Sequence, residues 1–242
     1  MAAQKRPGSA GSGLKGFYWV LAAVALAGIA FLAYSLFRAD RAATEPIELT
    51  NVEDARALLA RAEGIKVGPD TAPARVVVFS DYQCPACGEF ARQIGPWIQE
   101  NFVDDGRAQV IFYDFPLGGT HIHSFLAARA ARCAADQGRF WEYHDILFAR
   151  VMEWSPSREA PLEQFVRYAG DLGLNRKAFE DCLESDRHAD AVTANRMLGD
   201  QLGVNATPTV IVNGRRVYNP FDRDELRAAI VAEQPAGAEA AS

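Results

Sequence analysis

Cys84-Pro85-Ala86-Cys87 stands where a β-branched and aromatic run, Val76 to Phe79, has ended and a helix-forming stretch, Gly88 to Phe102, begins. A Cys-x-x-Cys pair at a strand-to-helix junction constrains the chain strongly, because the fold must deliver two sulfurs, one turn apart, to a helix N-terminus. The orphan N–H groups and the positive dipole end of that helix favour a thiolate on Cys84. A thiolate is both a nucleophile and a leaving group. Cys84 is therefore expected to be the exposed, acidic thiol, and Cys87 the buried one that closes or opens a disulfide with it. A zinc half-site and a purely structural pair are the alternatives. Zinc needs two further ligands at suitable spacing. The remaining candidates, His121, His123, Cys133, His144, Cys182 and His188, form no second Cys-x-x-Cys and no His-x3–5-His pair. Redox chemistry with no metal and no cofactor is the expectation.

The N-terminal region carries a second constraint. Phe17 to Phe37 is 21 residues without a charge, bounded by Lys15 and Arg38. That is enough to span a bilayer as a helix, and Phe17, Tyr18, Trp19 and Tyr34 suit its interfaces. The apolar run exceeds a signal-peptide core, so an uncleaved anchor is preferred over a cleaved signal ending near Ala39, Ala42 or Ala43. Lys5, Arg6 and Lys15 precede the span without any acid, which places residues 1–16 in the cytoplasm and everything beyond residue 38 outside. Four cysteines suit an oxidising compartment. Residues 1–41 hold five Lys/Arg and one acid, leaving 20 Lys/Arg against 30 Asp/Glu beyond them. An acidic domain of this kind offers no footprint for nucleic acid.

Beyond a linker at residues 38–50, Asn51 to Ala62 reads as a short amphipathic helix capped by Asn51. Arg75–Ser80 and Gln109–Phe115 read as strands. Between them residues 85–103 read as a helix kinked at Gly95-Pro96, where proline removes a hydrogen bond. From Gly118 to about Asp186 the pattern is wholly helical: His123–Ala135, Arg139–Val151, Leu162–Ala169 and Arg176–Leu183. Phe140, Trp141 and Tyr143 are expected in the core. His188–Gln201 is a further helix. Thr209–Val212 and Arg215–Tyr218 flank Asn213-Gly214, the dipeptide favoured in a two-residue hairpin. Asp222 caps a last helix, Arg223 to Ala232, and residues 234–242 form a polar tail. A short strand near Ile65–Val67 is left open.

This order resembles the DsbA-like family of extracytoplasmic thiol–disulfide oxidoreductases, most closely its membrane-anchored bacterial members. The segment Phe79-Ser80-Asp81-Tyr82-Gln83-Cys84-Pro85-Ala86-Cys87 is similar to the family's active-site segment. His121–Ala134, Arg139-Phe140-Trp141-Glu142-Tyr143-His144 and Phe179-Glu180-Asp181-Cys182-Leu183 are similar to its helical insert, and Gly203-Val204-Asn205-Ala206-Thr207-Pro208-Thr209 to its second active-site loop. The resemblance covers roughly residues 64–233. It implies an α/β thioredoxin-like fold with an inserted helical domain, here preceded by one transmembrane helix. The implied division is tail 1–16, anchor 17–37, linker and amphipathic helix 38–63, thioredoxin-like parts at 64–117 and 188–233, insertion 118–187, and tail 234–242.

The resemblance also assigns roles. Cys84 and Cys87 would be the catalytic dithiol, with Pro85 and Ala86 tuning it. Pro85 suits the first helical position and brings no N–H toward the sulfur. Ala86 adds no charge. Thr207-Pro208 would be cis and present a backbone edge to a substrate strand. Cys133 and Cys182 would form a structural disulfide, the alternative being two buried thiols. His121 and His123 start a helix expected to face the dithiol, and capping and packing are preferred for them over a part in its chemistry. One departure stands out: many relatives carry a buried acid six residues before the first cysteine, and here that residue is Val78. Proton transfer to Cys87 would then need water, Asp81 or the backbone.

Three functions fit this pattern. The first is an anchored oxidase that forms disulfides in exported proteins and is reoxidised by a quinone-linked membrane partner. The second is a reductase or isomerase fed by a membrane electron donor. The third is a non-catalytic peptide-binding module or chaperone.

Overall fold

A computed structural model describes residues 12–44, 46–49, 55–119, 121–185 and 187–232. The chain divides into two compact units, one ending at Arg41 and one starting at Ala42. The first contains most of helix α1, Ser12–Thr44. Its Gly16–Tyr34 stretch has a mean hydropathy of 2.1, and none of it is buried within the chain. A helix this long and apolar can cross a bilayer.

In the second unit α2, Ala55–Arg61, leads into β1, Ile65–Val67, and β2, Ala74–Ser80. The proposed cap Asn51 lies outside the described residues. Helices α3, Pro85–Gln93, and α4, Gly95–Ile98, follow, then a π-helical turn, Gln99–Val103, and β3, Ala108–Asp114. The single kinked helix expected over residues 85–103 is thus three pieces, broken at Ile94 where Pro96 withholds a donor. The helical block comprises α5, Ser124–Ala135, α6, Phe140–Ala149, α7, Val151–Trp154, α8, Leu162–Asp171, and α9, Arg176–Glu184. Then come α10, Ala189–Gln201, β4, Thr209–Val212, β5, Arg215–Arg216, and α11, Arg223–Val231.

The sheet has five strands in the order β1-β3-β2-β4-β5. β2 and β3 are parallel, with Val78 opposite Phe112, and every other pairing is antiparallel. The three-residue β1 supplies the strand that the sequence left open. Asn213 (φ 44°) and Gly214 (φ 83°) both take the left-handed conformation between β4 and β5, the geometry a type I′ turn demands. Asn213 Oδ1 also accepts a 2.7 Å hydrogen bond from the Arg75 N–H, which fixes the start of β2. β5 stops at Arg216, short of the expected Tyr218, although the Val217 N–H still donates to the Val210 carbonyl at 2.9 Å.

In the helical block α5 is buried from Ser124 to Ala134. Its alanines at 127, 130, 131 and 134 are short enough to admit the surrounding helices at close range. Phe140 and Tyr143 are buried as expected, but Trp141 is only partly so and edges a cavity. A buried pair, Arg132 Nε to Asp114 Oδ2 at 2.7 Å, ties α5 to the end of β3. Together these contacts set the helical block against the sheet end from which α3 starts.

Candidate active site

The end of β2 and the start of α3 are joined by residues 81–84, and both cysteines hang from this joint. Cys84 is the N-cap of α3 in an extended conformation, and Pro85 occupies the first turn. The Gly88 N–H donates to the Cys84 carbonyl at 3.1 Å, and the Cys84 N–H to the Asp81 carbonyl at 3.1 Å. Cys84 and Cys87 carry no disulfide bond here. Cys87 is 1% exposed and accepts a 3.5 Å hydrogen bond at sulfur from the Asp81 N–H.

Cys84 is only 9% exposed, less than its place at a helix N-terminus predicts. The reason is the loop before β4. The Thr207-Pro208 bond is cis, and the Cys84 thiol donates to the Thr207 carbonyl at 3.3 Å. The loop is held in turn by Thr209 Oγ1, which donates to the Ala206 carbonyl at 2.7 Å.

The two sulfurs are driven apart in acidity. A hydrogen bond from the Cys87 thiol, above all, brings the Cys84 pKa down to about 5, against an opposing cost of burial. The Thr207 side chain and the Cys87 and Ala86 N–H groups add to the lowering. The helix N-terminus thus contributes, but the neighbouring thiol comes first. Burial pushes the Cys87 thiol well up, and hydrogen bonding to Cys84 pushes it further. One group is poised to be a thiolate and the other to hold its proton.

Residues from the helical block clamp the joint. Asp81 is buried. Its Oδ1 accepts from the Gln83 N–H at 2.7 Å and its Oδ2 from the Leu117 N–H at 2.7 Å. His121 Nδ1 lies 3.0 Å from the same Oδ2. Asp81 raises the His121 pKa, burial opposes, and Cys84 adds a smaller raising effect. His121 is therefore electrostatically part of the site, beyond the capping and packing role read from sequence. Gln83 donates from Nε2 to Ser155 Oγ at 2.7 Å and accepts at Oε1 from the His123 N–H at 2.6 Å. His123 Nε2 lies 2.9 Å from the Ser157 carbonyl, and its ring makes no capping hydrogen bond to α5. Sequence reasoning placed Gln83 in the active-site segment without a role and missed Ser155. The two are 72 residues apart, and nothing in either local pattern announces the pairing.

Away from the dithiol, Cys133 on α5 and Cys182 on α9 are joined by a disulfide across a sequence separation of 49. His188 lies close enough to both sulfurs to complete a metal-ligand cluster. The disulfide occupies those sulfurs, and Asp136 Oδ2 stands 3.0 Å from His188 Nε2. Val78, opposite Phe112 on β2, is buried among apolar side chains, so β2 offers no carboxylate there.

Comparison with known proteins agrees with this arrangement. The family model described as Thioredoxin matches residues 61–232. The Disulfide bond formation protein D of Bacillus subtilis is 30% identical over 174 residues, which cover 69% of this chain and 75% of that protein. The crystal structure of oxidised BdbD from Bacillus subtilis superposes with a TM-score of 0.60 at 30% identity, covering 69% of this chain and 91% of that one. That of Wolbachia pipientis alpha-DsbA1, at 22% identity, shares the fold with a TM-score of 0.62 over 70% of this chain and 89% of that one. The Na(+)/H(+) antiporter NhaA 3 of Salinispora tropica is 35% identical over 190 residues, but the match spans 73% of this chain and only 28% of that protein. A name given to the whole antiporter does not transfer on little more than a quarter of its length. The chain belongs to the thioredoxin-like family and is a DsbA-like thiol–disulfide oxidoreductase.

Proposed function

We propose that the chain is a membrane-anchored oxidase that forms disulfides in exported proteins through Cys84 and Cys87. The observation that carries this reading is the split acidity of the pair. A strongly stabilised Cys84 thiolate favours the reduced enzyme, and a dithiol whose reduced form is stabilised is an oxidant. A substrate thiolate attacks the Cys84 sulfur of the Cys84–Cys87 disulfide, and Cys87 leaves with the electron pair and takes up a proton. The substrate's second thiolate then attacks its own sulfur in the mixed disulfide, and Cys84 leaves as the thiolate. The substrate has lost two electrons and the enzyme has gained them.

In this reading Thr207 and Pro208 present the backbone edge along which the substrate strand lies. Pro85 and Ala86 add no positive charge to the helix start, so the oxidant is milder than a relative with histidine between its cysteines. Residues 17–37 anchor the chain with residues 1–16 in the cytoplasm, supported by the Lys5, Arg6 and Lys15 excess before an uncharged span. The catalytic domain then acts on exported proteins outside, and a quinone-linked membrane partner restores its disulfide. The similarity to a disulfide bond formation protein supports this direction.

The test is covalent trapping with the full chain expressed in its membrane. Cys87→Ser should accumulate mixed disulfides between Cys84 and exported proteins, and Cys84→Ser should accumulate none. Mixed disulfides confined to a membrane electron donor, with a mostly reduced wild-type dithiol in cells, would favour a reductase. No mixed disulfide in either variant would leave a binding module.

A further inference from the structure

Oxidation and reduction of this dithiol require the buried Cys87 to gain and lose a proton. Val78 and Val110, which β2 and β3 turn toward it, transfer none. Behind Cys87 lies a cavity of about 410 Å³, bounded by Ser80, Phe112, Trp141 and His144 and open to solvent past Pro96 and the exposed Asp145. We propose that His144, backed by Asp145, exchanges this proton with Cys87 through the cavity that both line. The proposal rests on Cys84 and Cys87 being the working dithiol.

His144 is suited to the task by its setting. Its side chain is 8% exposed and boxed by the rings of Phe148, Phe112 and Trp141 at 5.0, 5.2 and 5.5 Å. Its Nδ1 lies 3.0 Å from Asp145 Oδ1. A carboxylate on Nδ1 holds the proton there and leaves Nε2 as the basic nitrogen. Two other titratable groups face the ring from neighbouring elements: Tyr82 on the β2–α3 joint, its ring 5.7 Å away, and Cys87 across the cavity. Burial keeps both protonated at neutral pH. β3 contributes the uncharged Phe112. Among the described cavity-lining residues His144 and Asp145 are the ionisable side chains besides Cys87.

The cavity supplies the route. A water takes about 30 Å³ and needs two to four polar partners. The space has room for several, and the Ser80 hydroxyl, the Gln99 amide, the Cys87 sulfur and the His144 ring along its wall could partner them. The Ser80 hydroxyl also hydrogen-bonds Cys87 and favours its ionised form. When a substrate thiolate bonds to Cys84 and the Cys84–Cys87 bond breaks, Cys87 holds the electron pair. Imidazolium at His144 releases its Nε2 proton to water, and the chain of water and Ser80 delivers a proton to Cys87. Solvent returns one to His144 past Asp145. Reoxidation runs the same transfer backward, with neutral His144 accepting the proton as Cys87 attacks.

The experiment is single-turnover oxidation of a dithiol peptide by the full-length protein in detergent, followed against pH. His144→Gln should slow the step about 100-fold, the lower range for a lost general acid or base, with the Cys84 titration unmoved. It should also remove an inflection from the pH–rate profile. His144→Ala should regain rate with added imidazole, which a merely structural role would not allow. Asp145→Asn, at an exposed position, removes the carboxylate on Nδ1 and should slow the step too, by less than His144→Gln does. A folded His144→Gln within twofold of wild type, or a loss that imidazole leaves uncorrected, would overturn the proposal. Should His144→Gln unfold, an Asp145→Asn rate equal to that of the wild type overturns it. If Cys84→Ser retains the oxidation, the dithiol assignment itself has failed.

Discussion

Thr207→Val isolates one contribution to the Cys84 thiolate. While Cys84 is a thiol it donates to the Thr207 carbonyl, and the buried Thr207 hydroxyl has no partner. Once the sulfur is ionised it becomes an acceptor, and the same side chain stabilises it. Valine keeps the shape and removes the donor. A hydrogen bond to a charged group is worth about 1.5–3 kcal/mol, so the Cys84 pKa should rise by about 1–2 units. The same energy leaves the reduced enzyme, and the reduction potential should fall by about 30–60 mV. Thiolate absorbance at 240 nm against pH gives the first quantity, and equilibration with glutathione gives the second. The orphaned hydroxyl predicts little change in the stability of the oxidised form. A pKa change under about a third of a unit, or a potential that moves without the pKa, would mean that the Thr207 hydroxyl does not stabilise the Cys84 thiolate.

Three further outcomes follow from the same contacts. Removing the disulfide in Cys133→Ala/Cys182→Ala opens a loop closed over 49 residues and should cost about 4 kcal/mol on the chain-entropy relation. For a domain of this size that lowers Tm by about 8–16 °C, measured by calorimetry, with dithiol chemistry retained. Gly199→Ala would place a Cβ 2.5 Å from two ring atoms of the buried Phe115; the overpacking, about 1–3 kcal/mol, should outweigh a helix-propensity gain of about 1 kcal/mol, as denaturant unfolding would report. Cys84 has a folded pKa of about 5 against an ordinary value of 9.0, so between those pH values the unfolded reduced chain binds more protons than the folded one. The stability of reduced relative to oxidised protein should therefore rise with pH from 5 toward 8, by at most about 1.4 kcal/mol per unit, and be lost as pH falls through 5.

How far the sequence reveals this molecule depends on the range of each interaction. The β2–α3 junction, the Asn213-Gly214 turn and the Asp222 cap are local codes, and all three stand where the residues put them. Three residues are too few to show the alternation that marks a strand, so the residues alone leave β1 open, and its pairing with β3 decides it. The π-turn at Gln99–Val103 has no composition of its own. The clamp on the dithiol joint is entirely long-range: Gln83 meets Ser155 and His123, and Asp81 meets Leu117 and His121. The cavity behind Cys87 comes from packing a half-buried Trp141 beside β3, which side-chain chemistry alone does not foretell.

On the reading proposed above, the acidity split between Cys84 and Cys87 makes this dithiol an oxidant. The direct test is the reduction potential of the full-length protein in detergent, read from equilibrium with glutathione at pH 7. The expected value lies above about −200 mV, well clear of thioredoxin's value near −270 mV, with the dithiol mainly oxidised in cells. A potential near that of thioredoxin, with the pair mainly reduced in cells, would contradict it.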